Sequence, residues 1–330
     1  MLGSKARWIV PVVALVACGG DDDDDNDATG SEPERIAVVA SFYPVAEAAE
    51  QVGGDRVEVT NLTPAGTEPH DLELTPDQVV DLEDADVVLY VGAGFQPAVA
   101  EIAEDRDGAS LDLAAGIDLQ AGDIEALEAQ EEASGEHEDE GGEEGEETEE
   151  EHAEGELDPH FWLDPTLLAA AVDEVAAALG EASPDDAATF EANAQAYKDD
   201  LADLDAAYES GLGSCQRDEI VTSHAAFFYL ADRYGLRQLP VMGLSPEAEP
   251  DPARLAELAQ EIESGGITTV FYETLVAPDV AETLANEAGV ETAVLNPLEG
   301  LTDDQVEAGD DYQSVMRDNL SALRAALDCT

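Results

Sequence analysis

Three of the five histidines in this 330-residue chain stand where a metal site could form. His70 lies in a Glu-Pro-His-Asp segment, His160 lies in Asp-Pro-His-Phe-Trp-Leu-Asp-Pro, and His224 lies in Thr-Ser-His. Each is expected at the carboxyl end of a strand, which is the edge where open α/β sheets bind ligands. A single histidine of this kind more often packs in a core or caps a helix, but three together favour a shared site.

A fourth candidate, Glu299, follows the last predicted strand in Leu-Asn-Pro-Leu-Glu-Gly. Three imidazoles and one carboxylate satisfy tetrahedral zinc. Sites with more carboxylates and fewer histidines suit manganese better, so this set predicts Zn²⁺ with Mn²⁺ as the alternative. The alternatives for the fourth ligand are Glu299, Glu68, Glu273 and water.

Alternating strands and helices must position these residues. Short apolar runs predict strands over 36–40, 57–61, 87–91, 219–222, 235–241, 268–272 and 292–295. Helical patterns lie between them over 45–52, 75–84, 224–234, 251–264, 278–288 and 302–326. This alternation of strands and helices predicts an α/β fold with two parallel-sheet lobes, one over 36–164 and one over 214–330.

A long helical region, 165–213, separates the two lobes. It divides into helices over 165–179 and 185–210, with a break at Ser183-Pro184. The second helix is rich in Ala and has no internal Gly or Pro, so at 1.5 Å per residue it would run roughly 35–40 Å. That length is sufficient to cross both lobes.

The chain carries 79 acidic and 12 basic residues, for a formal net charge of -67. This charge repels nucleic acid and anionic lipid headgroups, so neither is an expected partner. Residues 21–34 and 121–157 account for part of it, and the remaining surface is acidic as well. Adaptation to a salty environment and a lineage-wide bias in composition both explain that surface.

The segment 120–157 is rich in Glu, contains Gly pairs and lacks aromatic residues. Such a composition cannot bury a core, so a disordered, mobile acidic loop is predicted within the first lobe. His137 and His152 lie inside it. The alternatives are auxiliary metal capture by these histidines, a charged antenna for cations, and an inert linker.

The N-terminus predicts export. Lys5 and Arg7 precede an apolar run too short to span a bilayer, so residues 1–17 are expected to be a signal peptide. The Leu-Val-Ala-Cys sequence resembles a bacterial lipobox, which implies cleavage before Cys18 and lipidation of its sulfur. Residues 18–35 then form an acidic tether. The protein would be extracytoplasmic and attached to the bacterial cell membrane only through its lipid.

With Cys18 lipidated, Cys215 and Cys329 are the remaining cysteines. In an oxidising compartment the simplest expectation is one disulfide between them. Two buried free thiols are the alternative.

Together, the four segments around His70, His160, His224 and Glu299 resemble the zinc-binding lipoproteins of metal ABC importers, the ZnuA-like proteins of the TroA/PsaA superfamily. The resemblance runs from about residue 36 to the C-terminus. It implies two Rossmann-like lobes joined by a long rigid helix, with the metal in the interlobe cleft. His70 and His160 would come from the first lobe, and His224 and Glu299 from the second. In some zinc-binding relatives an Asp matches Asn296. The resemblance alone therefore does not decide which residue supplies the carboxylate ligand.

The resemblance implies a monomeric, non-enzymatic carrier that delivers zinc to the permease and ATPase subunits of an importer. The alternatives are a manganese carrier of the same fold, a metal-dependent adhesin, and a zinc hydrolase with Glu299 as general base. A hydrolase is disfavoured because the sequence has no His-Glu-x-x-His motif.

Overall fold

The computed structural model describes residues 35–122, 156–247 and 250–330. Its first lobe is built on a parallel four-stranded sheet in the order β2-β1-β3-β4. The strands are β1 (Ile36–Ala40), β2 (Val57–Asn61), β3 (Val87–Tyr90) and β4 (Ala109–Asp112). All four residues of β3 are buried, as expected for a parallel strand covered on both faces.

Three helices connect these strands: α1 (Tyr43–Gly53), α2 (Pro76–Asp84) and α3 (Pro97–Asp105). Thr75 caps α2 through a reciprocal capping box with Gln78, and Pro76 opens the helix. The sequence patterns did not predict α3 or β4. The strand β4 was not predicted because it has no apolar run. Its Ala-Ser-Leu-Asp sequence lies at the sheet edge, where none of its residues is fully buried.

Two helices, α4 (Pro165–Ala182) and α5 (Ala187–Leu212), link the lobes. With 26 residues, α5 is about 39 Å long. It packs against α1 in the first lobe and against the C-terminal helix of the second. One buried apolar cluster therefore spans both sheets and the linking helices, and its members include Val38, Val87, Phe190, Leu201, Tyr208, Ile220 and Phe271.

The second lobe repeats the strand arrangement of the first, in the order β6-β5-β7-β8. Its strands are β5 (Glu219–Thr222), β6 (Arg237–Pro240), β7 (Thr269–Tyr272) and β8 (Glu291–Val294). Its helices are α6 (Phe228–Tyr234), α7 (Pro252–Gly265), α8 (Asp279–Ala288), α9 (Asp303–Ala308) and α10 (Tyr312–Ala326). The predicted α/β fold with two parallel-sheet lobes is confirmed.

Two predicted helices need correction. The helix expected over 224–234 begins only at Phe228, because the His224 carbonyl accepts hydrogen bonds from the side chains of Thr222 and Gln238. The helix expected over 302–326 is divided into α9 and α10. The chain turns at Gly309, whose φ of 78° belongs to the left-handed region.

A disulfide joins Cys215 to Cys329, 114 residues apart in sequence. In the part of the chain that the structure describes, no helix is long and apolar enough to cross a membrane. The predicted signal peptide, Cys18 and most of the acidic tether lie outside the described residues, as do His137 and His152.

The two ends of the predicted acidic loop are paired with each other. Ala121 and Leu157 form an isolated antiparallel bridge, and the Gly122 N–H donates to the Glu156 carbonyl at 3.0 Å. The residues at the ends of 120–157 thus belong to the folded lobe, a correction to the loop boundaries expected from composition. Residues 123–155 lie outside the described part.

Candidate metal centre

His70 lies on the loop between β2 and α2 in the first lobe. Its backbone N–H donates to the Glu68 carboxylate at 3.1 Å, and Gln96 donates to the Pro69 carbonyl at 3.2 Å. The ring packs edge-on against Phe95, with the centroids 4.6 Å apart. Its side chain is 10% exposed. The Nε2 atom of His70 is thereby directed to Glu299, 3.4 Å away.

His160 does not follow a strand, contrary to the sequence-based expectation. It precedes the short 3-10 turn Phe161–Leu163, which leads into α4. One carboxylate oxygen of Asp158 accepts both the His160 backbone N–H at 2.8 Å and the ring Nδ1 at 2.7 Å. Both residues are fully buried.

His224 comes two residues after β5 and is fully buried. Its Nδ1 lies 2.7 Å from a carboxylate oxygen of Glu273, which directly follows β7. The chain leaves β5 and β7 in opposite directions across the sheet, so this pair sits at the topological switch point of the second lobe. Such crevices bind ligands in α/β proteins.

Glu299 lies on the loop after β8. The Asn296 side chain accepts the Leu298 N–H at 2.7 Å, and Leu298 has a φ of 58°. This tight turn directs the buried Glu299 carboxylate inward. Asn296 therefore shapes the turn and lies outside the cluster of candidate ligands.

The four predicted ligands converge. Atoms of His70, His160, His224 and Glu299 all lie within 4.8 Å of one another. The Nε2 atoms of His160 and His224 are each 3.2 Å from the Glu299 oxygen and 3.4 Å from each other. A tetrahedral zinc with bonds of about 2.1 Å would hold its ligand atoms about 3.4 Å apart. The separations of 3.2–3.4 Å between Glu299 and the three histidines and between His160 and His224 are close to this value.

A protein-family model described as ZnuA, zinc-uptake complex component A periplasmic, matches residues 38–326. The chain belongs to the ZnuA family. Among its relatives, the zinc-binding lipoprotein AdcA of Streptococcus pneumoniae (strain R6) is 39% identical over 314 residues, or 95% of this chain. The high-affinity zinc uptake system protein ZnuA of Bacillus subtilis (strain 168) is 36% identical over 316 residues, covering 95% of this chain and 93% of its own length.

The fold of this ZnuA-family chain is similar to the solved Zn(II)-bound ZnuA-like domain of S. pneumoniae AdcA. The TM-score is 0.72 at 36% sequence identity, over 89% of this chain and 99% of that domain. The chain covers only 58% of the full-length AdcA relative, so it spans little more than half of that protein.

The charges within this ZnuA-family cluster are strongly coupled. Burial opposes the charged form of each group, but Glu273 and Glu299 raise the pKa of His224 well above its usual value. Burial also lowers the pKa of His160, but the carboxylates of Asp158 and Glu299 outweigh this effect and raise it. The three histidines hold the pKa of Glu299 well below its usual range despite its burial. Burial lowers the pKa of His70.

The alternative carboxylates have other roles in the structure. Glu273 contacts the far nitrogen of His224, and Glu68 accepts backbone N–H groups from His70 and Asp71. Burial and the nearby charge of Glu299 raise the pKa of Glu68 to about 7. Glu68, Asp71 and Glu247 also form a separate, more exposed acidic group. Glu299 alone among the candidate carboxylates joins all three histidines.

Sequence reasoning missed Asp158 as a partner of His160. Its signal was present in the Asp-Pro-His spacing, which lets a carboxylate reach both the backbone and the ring two residues later. A cavity of about 190 Å³ adjoins the cluster on the His70 side. Residues of both lobes line it, including Phe95, Pro159 and Leu244.

Proposed function

We propose that this chain captures Zn²⁺ outside the cytoplasm and delivers it to the permease of an ABC importer, whose ATPase is a separate chain. Its ligands would be His70, His160, His224 and Glu299. The observation that carries the proposal is the convergence of these four side chains from both lobes within 4.8 Å. Zinc is the transported cargo in this proposal.

Zinc is preferred over manganese because the cluster offers three imidazoles and one carboxylate. The names of the relatives support the same ion. The pneumococcal relative is a zinc-binding lipoprotein, the B. subtilis relative is a zinc uptake system protein, and the similar solved domain is Zn(II)-bound.

A carrier is preferred over a hydrolase on the basis of the ligand count. Catalytic zinc sites keep three protein ligands and one open position for water. Here four protein groups surround the candidate position, and three of them are fully buried. A saturated shell stabilises a bound ion but leaves no coordination site for attack on a substrate.

Membrane attachment belongs to the same proposal. Residues 1–17 would direct export, Cys18 would carry the lipid, and residues 18–35 would tether the folded part to the outer surface of the cell membrane. The folded part would divide into a first lobe over 36–164, a linking region over 165–213 and a second lobe over 214–330. His137 and His152 would at most assist capture, since the cleft cluster is complete without them.

Metal titration of the purified, metal-stripped protein tests this function. We expect one Zn²⁺ to bind per chain, and Mn²⁺ to be displaced by Zn²⁺ in a direct competition. X-ray absorption of the zinc complex should report three nitrogen ligands and carboxylate oxygen, with no bound water. Tighter binding of Mn²⁺, or a zinc shell with a water ligand, would contradict the proposal.

A further inference from the structure

Two buried carboxylates lie behind the cluster, outside the set of four candidate ligands. Asp158 is 2.7 Å from the Nδ1 of His160, and Glu273 is 2.7 Å from the Nδ1 of His224. Asp158 is fully buried, and Glu273 is 3% exposed. Each histidine thus faces Glu299 with one ring nitrogen and a second carboxylate with the other.

We infer that Asp158 and Glu273 are positioning residues that hold the Nε2 atoms of His160 and His224 toward the zinc ion. This inference rests on the proposed zinc-binding function. A carboxylate can only accept a hydrogen bond, so the Nδ1 atom facing it must carry the proton. The lone pair needed for metal binding is then on Nε2, and the hydrogen bond also fixes the rotation of the ring.

The two carboxylates are themselves held by the scaffold. The Asp158 backbone N–H donates to the Gln120 carbonyl at 2.8 Å, and its carbonyl accepts the Tyr229 hydroxyl at 2.9 Å. Glu273 directly follows β7, which is paired with β5, the strand that leads to His224. Both carboxylates can therefore orient a ring without ordering a flexible segment when the ion binds.

His70 provides an internal contrast. No side chain or carbonyl among the described residues accepts a hydrogen bond from its Nδ1, and its ring is oriented by packing against Phe95. The rings of His160 and His224 are therefore oriented by hydrogen bonds, and the ring of His70 is oriented by an aromatic contact. Loss of a carboxylate should affect only the histidine that it contacts.

The test compares Glu273→Ala with Glu273→Gln. The amide oxygen of Gln can still accept the Nδ1–H, whereas Ala cannot. We expect Glu273→Ala to lower zinc affinity about 10- to 100-fold, the usual effect of losing such a partner, and Glu273→Gln to lower it less. Glu47→Gln is the matched control, because Glu47 is a buried carboxylate of α1 that contacts Gln51 and no histidine.

Nitrogen-15 NMR of the zinc complex supplies a readout that a purely structural role would not change. The wild-type complex should show zinc on Nε2 and a proton on Nδ1 for both His160 and His224. The Glu273→Ala complex should lose the defined tautomer at His224 and retain it at His160. Because the wild-type spectrum alone reports the tautomers, the test holds even where a variant does not fold.

Three results would overturn the inference: zinc bound through Nδ1 in the wild type, wild-type affinity in Glu273→Ala, or equal losses in Glu273→Ala and Glu273→Gln. The last result would mean that Glu273 supports zinc binding through its negative charge and not by orienting the His224 ring. A wild-type protein that does not bind zinc would refute the proposed function itself. Wild-type binding with unaffected variants would refute only the positioning role.

Discussion

The indole N–H of Trp162 donates to the carbonyl oxygen of Pro297 at 2.8 Å. Each partner is two residues from a candidate ligand, Trp162 from His160 and Pro297 from Glu299. The bond therefore joins the first-lobe segment that carries one ligand to the second-lobe loop that carries another. The Tyr312 hydroxyl extends this link by donating to the Trp162 carbonyl at 2.7 Å.

Trp162→Phe should weaken both folding and zinc binding. The substitution leaves the buried Pro297 carbonyl without its donor, which costs about 1–3 kcal/mol in the free energy of unfolding. Zinc affinity should fall as well, because this hydrogen bond no longer helps to hold the segments of His160 and Glu299 together. Denaturant unfolding and zinc titration measure the two effects.

Tyr208→Phe is the control for this prediction. It removes a buried hydrogen bond of 2.6 Å to the Met316 carbonyl that joins α5 to α10 and involves neither ligand segment. It should reduce stability and leave zinc affinity unchanged. Wild-type affinity in Trp162→Phe would show that this interlobe bond does not support the site.

His224→Ala should lower zinc affinity by more than about 100-fold, because removing even an outer partner of a ligand costs 10- to 100-fold. His137→Ala should change the affinity little, since four converging side chains of the described residues already supply a tetrahedral ligand set. Chelator competition with both variants measures the difference. Equal losses would refute the distinction between the cleft histidines and those of the acidic segment.

Zinc affinity should fall as the pH falls, because protons compete for the imidazole nitrogens. Glu273, Asp158 and Glu299 raise the pKa values of His224 and His160, so protons bind these rings at a higher pH than usual. The decline should therefore begin above the ordinary histidine value of about 6.5. Affinity measured from pH 8.5 to 5 tests this, and a constant value from pH 7.5 to 5 would exclude the three-histidine site.

Replacing both Cys215 and Cys329 by Ala should reduce the free energy of unfolding by about 2–5 kcal/mol, because a crosslink across 114 residues restricts the unfolded chain. Zinc affinity should be unchanged, since neither cysteine belongs to the cluster. Denaturant titration of the double variant, with the reduced wild type beside it, measures the effect. An unaltered unfolding midpoint would contradict the prediction.

Deleting residues 123–155 should slow zinc loading at low ionic strength with little change in equilibrium affinity. The segment is strongly acidic, and fixed charge raises the local concentration of cations until salt screens it. The paired ends at Gly122 and Glu156 allow a short linker to close the gap. Stopped-flow loading at low and high salt measures the effect, and an unaltered rate would favour the inert linker.

Much of the fold could be predicted from sequence because its strands are short, apolar and regularly separated by helices. β1, β2 and β5 have the predicted bounds, and Gly235 and Gly289 end their helices with left-handed φ values as C′ glycines do. The edge strand β4 lacked an apolar pattern, and the turn at Gly309 lay within an otherwise helical sequence. Local periodicity identifies neither.

The candidate ligands could be proposed from sequence because each lies in a distinctive segment near the end of an element. Their partners could not all be found in this way. Glu273 and His224 are 49 residues apart, and only the pairing of β5 with β7 brings their side chains together. The choice of Glu299 over Glu68 likewise depends on where the loop after β8 directs its carboxylate.

The Cys215–Cys329 bond has a topological consequence. It encloses the whole of β5–β8, together with His224 and Glu299, in one covalent ring. A protease that cuts a single exposed bond between the two cysteines would open this ring without releasing a fragment. Both second-lobe members of the cluster would remain attached to α5 and to the first lobe, so a nicked molecule would keep its parts together until the disulfide is reduced.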